Sequence, residues 1–151
     1  MKISIQEKRP LVFIIIDIIV FSIYSIIVLD KYNRSTMALP DELKFWGAAI
    51  LILVPILISS RILLYVIFSI SNTVITKKRE EKFLTDELGN IIKLKASRSF
   101  SNTFMMSFLL IMILLVFGMS VTTMFKLFIL SLFMSLTAYN ITEIYYYKTG
   151  I

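Results

Sequence analysis

Apolar residues in this chain gather into long blocks rather than alternating with polar ones. The first block is Leu11–Leu29, LVFIIIDIIVFSIYSIIVL, and the second lies within Phe45–Ile75, FWGAAILILVPILISSRILLYVIFSISNTVI. The third covers about Thr103–Met124 and the fourth about Leu127–Tyr147. A helix needs about 20 residues to cross a hydrocarbon core of about 30 Å, so each block predicts one membrane span. Lipid offers no partner to backbone N–H and C=O groups, which makes each span helical. The second block exceeds one bilayer thickness and has to tilt or project. The pattern predicts an all-α, four-helix transmembrane bundle, a single membrane domain over residues 1–151 with spans near 11–29, 47–72, 103–124 and 127–147.

The polar breaks define the connections. DKYNRSTMALPDELKFWG, Asp30–Gly47, reads as a short loop that ends in a helix N-terminus capped by Asp41. Phe45 and Trp46 then fall at interface depth, and Tyr145, Tyr146 and Tyr147 form the matching aromatic belt at the other interface. SVTTMFK, Ser120–Lys126, allows only a tight antiparallel hairpin. The one long charged island is KKREEKFLTDELGNIIKLKASRSFS, Lys77–Ser101. In it Thr85 offers an N-cap, and Asp86 and Glu87 occupy a first turn, where the helix dipole favours acids. Leu84, Leu88, Ile91, Ile92 and Lys95 recur at helical spacing, with Asn90, Lys93, Ser97 and Arg98 facing away. This predicts a cytosolic amphipathic helix between spans two and three, within the segment 76–102. Gly89 weakens it by about 1 kcal/mol relative to alanine.

Composition sharpens the class. The chain is 58% hydrophobic and 17% charged, against roughly 45–50% and 25% in soluble domains. Eleven basic residues lie in the N-terminal tail, the island and the C-terminus, and four in the two opposite loops. The positive-inside rule then puts both termini and the island in the cytoplasm. The net charge of +6 serves topology and anionic headgroups in such a protein, not nucleic acid. The first apolar run, 19 residues from Leu11 to Leu29, is longer than the 7–15 residues of a signal-peptide core and reads as a retained anchor. With no cysteine and no histidine, disulfides, thiol nucleophiles, imidazole- or thiolate-based metal and haem sites and Ser–His triads are excluded. There is no Gly-rich phosphate loop and no carboxylate set at metal-ligand spacing, so the expectation is a protein without catalytic activity, cofactor or metal.

Two charges sit inside spans. Asp17 is in the middle of span one and Arg61 near the middle of span two. Each costs about 2.5–3.5 kcal/mol alone, so both should face the bundle interior and find partners. Antiparallel neighbours place them within a few ångström in depth, and an Asp17–Arg61 ion pair is expected. Two readings of it stand: a proton or ion relay, or a clamp that fixes helix register. The clamp is favoured because the pair is single and the chain lacks histidine. Pro55, six residues before Arg61, predicts a kink and a small polar pocket around Ser59, Ser60 and Arg61. Span four carries the polar residues Asn140 and Glu143, the latter near the cytoplasmic interface within reach of Lys95 or Arg98. Ser131, Ser135, Ala138 and Thr142 give span four a small-residue face, and Ser107 with Gly118 does the same for span three.

The island has three readings: an interfacial helix on anionic lipid, a seal under the bundle, or a docking face for a soluble partner. Composition favours the first two. The string TDELGNIIKLKASRSFSNTF, Thr85–Phe104, resembles the hallmark of a family of small four-span membrane proteins of bacteria and archaea, of unknown function. That hallmark is an acidic Asp-Glu start, an apolar position and a Lys-Ala pair before the third span. Asp86, Glu87, Ile91 or Ile92, Lys95 and Ala96 match it, as do the FGMS turn and the close NITEIYYYKTGI. Leu88 and Gly89 stand where an Arg–Asp pair is common in the family. The resemblance implies a non-enzymatic integral protein of the bacterial or archaeal cytoplasmic membrane. Such proteins are thought to work beside small helix-turn-helix regulators, which makes the island a tether. The expected function is accessory or regulatory: docking of a soluble cytosolic partner through residues 77–98, with Asp86, Glu87, Lys93, Lys95 and Arg98 as the partner or lipid surface. The rival is an oligomeric transporter or immunity-type protein using Asp17 and Arg61. Expected partners are the lipid bilayer, the soluble protein and a second copy of the chain, with no direct contact to nucleic acid.

Overall fold

The computed structural model describes residues 5–35, 38–75 and 82–149, and within them the side chains of 9–35, 38, 40–67 and 87–149. Four helices make up the fold: α1 (Ile5–Asn33), α2 (Leu39–Ile75), α3 (Lys82–Val116) and α4 (Val121–Thr149). All four are long and apolar enough to cross a membrane, and no strand occurs among the described residues. The chain is an all-helical, multi-pass membrane protein. At 1.5 Å per residue, α1 and α4 are about 43 Å long and α2 and α3 about 52–55 Å, so the two middle helices overrun the bilayer.

Helices consecutive in the chain run antiparallel, as do α1 and α4, whereas α2 and α4 run parallel, with Glu42 beside Thr122 and Arg61 beside Tyr139. Asp17 meets Arg61 across α1 and α2, Phe21 meets Phe133 across α1 and α4, and Phe108 meets Phe128 across α3 and α4. One end of the bundle therefore carries the start of α1, the end of α2, the start of α3 and the end of α4 (the terminal end). The other carries the end of α1, the start of α2 and the α3–α4 hairpin (the hairpin end). Helix α4 is the axis. All three other helices pack on it and α1 also touches α2, whereas α3 packs against α4 alone.

The buried stripes follow from sequence spacing. On α1, Phe13, Asp17, Phe21 and Val28 lie on one face at three- and four-residue steps; on α2, Trp46, Ala49, Leu53, Leu57 and Leu64 do the same. Phe21, Val28, Trp46, Ala49, Leu53, Leu57 and Ile129 pack together as the apolar core of the hairpin half. Ser131 and Ser135 are buried on α4, and their hydroxyls donate to the carbonyls of Phe128 (2.8 Å) and Ser131 (2.7 Å). Satisfied within their own helix, they leave a small surface on which a neighbour can pack closely.

Several expectations need correction. The amphipathic segment runs straight on into span three. The helix is already under way at Lys82, holds Thr85 inside rather than at its cap, and continues without a break to Val116. The predicted apolar stripe also divides: Ile92 and Ala96 are fully buried, whereas Leu88 and Ile91 are exposed. The part of the island at 76–81 lies outside the described residues. Helix α2 begins at Leu39, so Asp41 belongs to its first turn, and the amides of Asp41 and Glu42 both donate to Ala38 O at 3.0 Å. Pro40 suits that turn because a first-turn amide has no helical acceptor to lose. Helix α2 also runs on through Pro55 as one helix. Trp46 is no belt residue: its ring is buried against Tyr32 (centroids 5.2 Å) and Phe45 (5.5 Å).

The hairpin between α3 and α4 falls earlier than expected, at Phe117–Ser120, and SVTT is already the start of α4. Met119 N donates to Leu114 O (3.2 Å) and Gly118 N to Leu115 O (3.1 Å), the two bonds of a Schellman cap. That cap needs a left-handed residue, which is Gly118 at φ 89°. Gly118 thus terminates α3 instead of forming a small-residue face with Ser107. Ser120 caps the next helix, its Oγ accepting from Thr123 N at 3.2 Å. Replacing Gly118 by alanine meets no steric neighbour but forces a Cβ into the left-handed region, so Gly118→Ala should cost about 1–2 kcal/mol. Unfolding in detergent micelles checks this, and an unchanged midpoint would refute the cap assignment.

Candidate functional site

The buried carboxylates among the described residues, Asp17 and Glu143, lie in the terminal half. Asp17 is 1% exposed and occupies the place in the α1 stripe between Phe13 and Phe21. Arg61 takes the position after Leu57 on α2. Its Nη2 donates to Asp17 Oδ2 at 2.8 Å, and Asn140 Nδ2 on α4 donates to the same oxygen at 3.0 Å. One carboxylate oxygen therefore joins three helices. The Arg61 side chain is 27% exposed, and its guanidinium carbon lies 5.6 Å from the Phe13 ring centroid and 5.7 Å from that of Tyr139. These aromatic faces hold the cation from both α1 and α4.

Glu143 lies one helical turn beyond Asn140, on the same side of α4. It is buried, at 3% exposure, and is not paired with Lys95 or Arg98. The cations whose fields reach it are Arg9 from α1, Lys93 from α3 and Arg61 from α2. Arg9 itself stands over the rings of Tyr65 (4.9 Å) and Phe13 (5.4 Å). A seam of charge thus runs along α4 from Asn140 to Glu143, and every helix contributes to it.

The pocket expected around Ser59 and Ser60 is not where the space lies. Ser59 is exposed and Ser60 Oγ donates to Leu57 O at 2.9 Å. A groove of about 500 Å³ opens instead beside the seam, lined by Asn90, Lys93, Leu94 and Ser97 of α3 and by Tyr139 of α4. The Tyr139 ring is at once a wall of this groove and the platform under Arg61.

Of the island residues, Lys93, Glu87 and Arg98 are exposed. Lys95 is held: its ammonium sits 4.4 Å from the Tyr146 ring centroid. Gly89 faces the Tyr147 hydroxyl, 3.8 Å from where a Cβ would be. Gly89, Ile92, Lys95 and Ala96 thus form the seam that fastens the foot of α3 to the tyrosine-rich end of α4. Asp86 is in α3, but its side chain lies outside the described ones.

Sequence reasoning missed the second polar node, at the hairpin end. Tyr32 OH of α1 donates to Glu42 Oε1 of α2 at 2.5 Å, and the Thr122 hydroxyl of α4 donates to the same oxygen. Lys126 lies over the Tyr32 (5.3 Å) and Trp46 (5.7 Å) rings. Its one sequence signal was an acid in the first turn of α2. Arg9 was missed as well, having been counted only as a topology signal.

Comparison with protein-family models, with curated proteins and with solved structures finds no match.

If one oxygen of Asp17 holds Arg61 and Asn140 together, removing either charge leaves its partner with unmet bonds. Asp17→Asn and Arg61→Gln should each destabilise the protein by about 2 kcal/mol, the scale of a hydrogen bond to a charged group. The double variant should lose less than the sum of the two. A strictly additive double-mutant cycle, read from unfolding in detergent or bicelles, would show that the two residues do not depend on each other.

Proposed function

We propose that this chain is a non-catalytic accessory protein of the bacterial or archaeal cytoplasmic membrane that docks a soluble cytosolic partner through the foot of α3. In this reading both termini and the segment 76–102 are cytosolic, following the distribution of Lys and Arg. One observation carries it: the foot of α3 has two apolar stripes, and α4 covers only one of them. Gly89, Ile92 and Ala96 face α4. Leu88, Ile91 and Leu94 stand exposed, Leu94 at 71%, and no helix packs on them among the described residues.

Glu87, Lys93 and Arg98 flank that exposed stripe, giving it the apolar centre and charged rim of a protein-binding face. Lys95 drops out of the surface because Tyr146 holds it. The ion pair Asp17–Arg61 serves in this reading as the register clamp. Support comes from the hairpin half, where Phe21, Leu53 and Leu57 pack above Asp17 and the buried Ser131 and Ser135 hydroxyls are satisfied within α4.

A photo-crosslinker at Ile91 in native membranes should capture one soluble protein. Leu94→Asp in the same chain should cut that capture at least about tenfold, since a buried leucine contributes about 1.5–3 kcal/mol and each 1.4 kcal/mol is a factor of ten. Membrane insertion should be unchanged. Crosslinks to lipid alone, or capture indifferent to Leu94→Asp, would overturn the docking reading.

A further inference from the structure

We infer that the groove beside Tyr139 is the mouth of a water-filled inlet that reaches Asp17 from the terminal side of the membrane and stops there. The ligand is water, and the site it reaches is the Asp17–Arg61–Asn140 node.

The argument begins with atoms that need partners. Arg61 Nε and Asn140 Oδ1 are both buried and make no hydrogen bond, and Arg9 Nε is in the same condition. The first is a donor and the second an acceptor, and both belong to the two side chains that grip Asp17. A buried polar group left unpaired costs about 1–3 kcal/mol, and hydrocarbon supplies no partner. A water molecule needs two or more polar neighbours to be held, and here it can accept from Arg61 Nε and donate to Asn140 Oδ1.

The groove provides the route. Asn90, Lys93 and Ser97 recur at i, i+3 and i+7 on α3, so one polar stripe leads about 10 Å along the helix at 1.5 Å per residue. It ends against Tyr139, whose other contact is Arg61. Among the described residues α3 packs on α4 and on no other helix, so none of them closes the groove from the side of α2. On the far side of Asp17 the next buried side chains are the apolar Phe21, Leu53 and Leu57, the buried Ser131 and Ser135 hydroxyls are satisfied within α4, and the remaining orphan atom, Trp46 Nε1, lies beyond them. Water that enters past Tyr139 therefore stops at Asp17.

The chain has no cysteine, so single cysteines can be placed and probed without background. A thiol reacts as the thiolate, which requires water. In reconstituted vesicles of the purified protein treated with an impermeant methanethiosulfonate from either side, Ser97→Cys and Tyr139→Cys should react from the same side as Lys148→Cys. Met106→Cys, on the lipid-exposed face of α3, should stay at least about tenfold slower, as a thiol kept from water. Failure of Ser97→Cys and Tyr139→Cys to react, or reaction from the side opposite Lys148→Cys, overturns the inlet. The Lys148→Cys variant separately reports orientation, and purified protein in reconstituted vesicles carries no partner to cover Leu94, which lines the groove. Because Tyr139→Cys removes the Arg61 platform, the unmodified chain serves as a second test. Water-edited solid-state NMR should pass magnetisation to the Asn140 side-chain amide faster than to the backbone amide of the fully buried Leu53; equal, slow transfer to both would overturn the proposal.

Discussion

Everything in the terminal half of this protein depends on one oxygen atom, Asp17 Oδ2. It accepts from Arg61 of α2 at 2.8 Å and from Asn140 of α4 at 3.0 Å, and so sets the register of three helices at once. Between membrane helices there is no hydrophobic force to do this, because lipid tails are as apolar as leucine. A second oxygen, Glu42 Oε1, joins the same three helices at the hairpin end through Tyr32 and Thr122. Asp17 and Tyr32 are fifteen residues apart on α1, about 22 Å along the axis. Two fixed points at that separation define the crossing angle as well as the register. The desolvation of a buried ion pair offsets much of its attraction, so its contribution lies more in fixing one arrangement than in net stability.

Helix α3 belongs to neither node. Its contacts with α4 are packing contacts: Phe108 on Phe128 at 6.0 Å, the buried Ile92, Ala96 and Ile111, and Lys95 over Tyr146. The molecule is therefore a polar-locked core of three helices with a fourth laid along it. Lys93 ties the two parts together. It is exposed on the foot of α3, lines the groove, and sends its field to Glu143 inside the core. A partner that engages Lys93 would alter the charge balance of the seam without touching a residue of the core.

The four spans were legible because the length of an apolar run is set by the bilayer, and the depth of Asp17 and Arg61 followed from counting residues along antiparallel helices. Where the turn falls was harder. Hydropathy runs straight across Phe117–Ser120, and only the left-handed glycine of a Schellman cap breaks the helix there. The division of the α3 stripe was hidden for another reason. Ile91 and Ile92 are equally apolar, and which of them is buried depends on the angle at which α4 lies. Asn140 was visible as a polar residue, but its bond to Asp17 spans 123 positions and depends on α4 being the central helix, which no local pattern encodes. Glu42 gave no signal beyond an acid near the start of α2, and its partners come from two other helices, Tyr32 from α1, 10 positions away, and Thr122 from α4, 80 positions away.

The bundle is chemically divided across its depth, and that division bears on what it can do. Below Asp17 lie Arg61, Asn140, Tyr139, Glu143 and Arg9; above it lie Phe21, Leu53, Leu57 and Trp46. A route for an ion through the membrane needs polar partners at every depth, since a charge stranded among apolar side chains is strongly disfavoured. Here the buried charges end at the residue that locks the helices, the buried Ser131 and Ser135 hydroxyls beyond it bond within α4, and the Glu42 node is occupied by Tyr32 and Thr122. The Asp17 lock holds α4, and α4 holds the foot of α3, so the polar seam and the exposed stripe of Leu88, Ile91 and Leu94 share one helix.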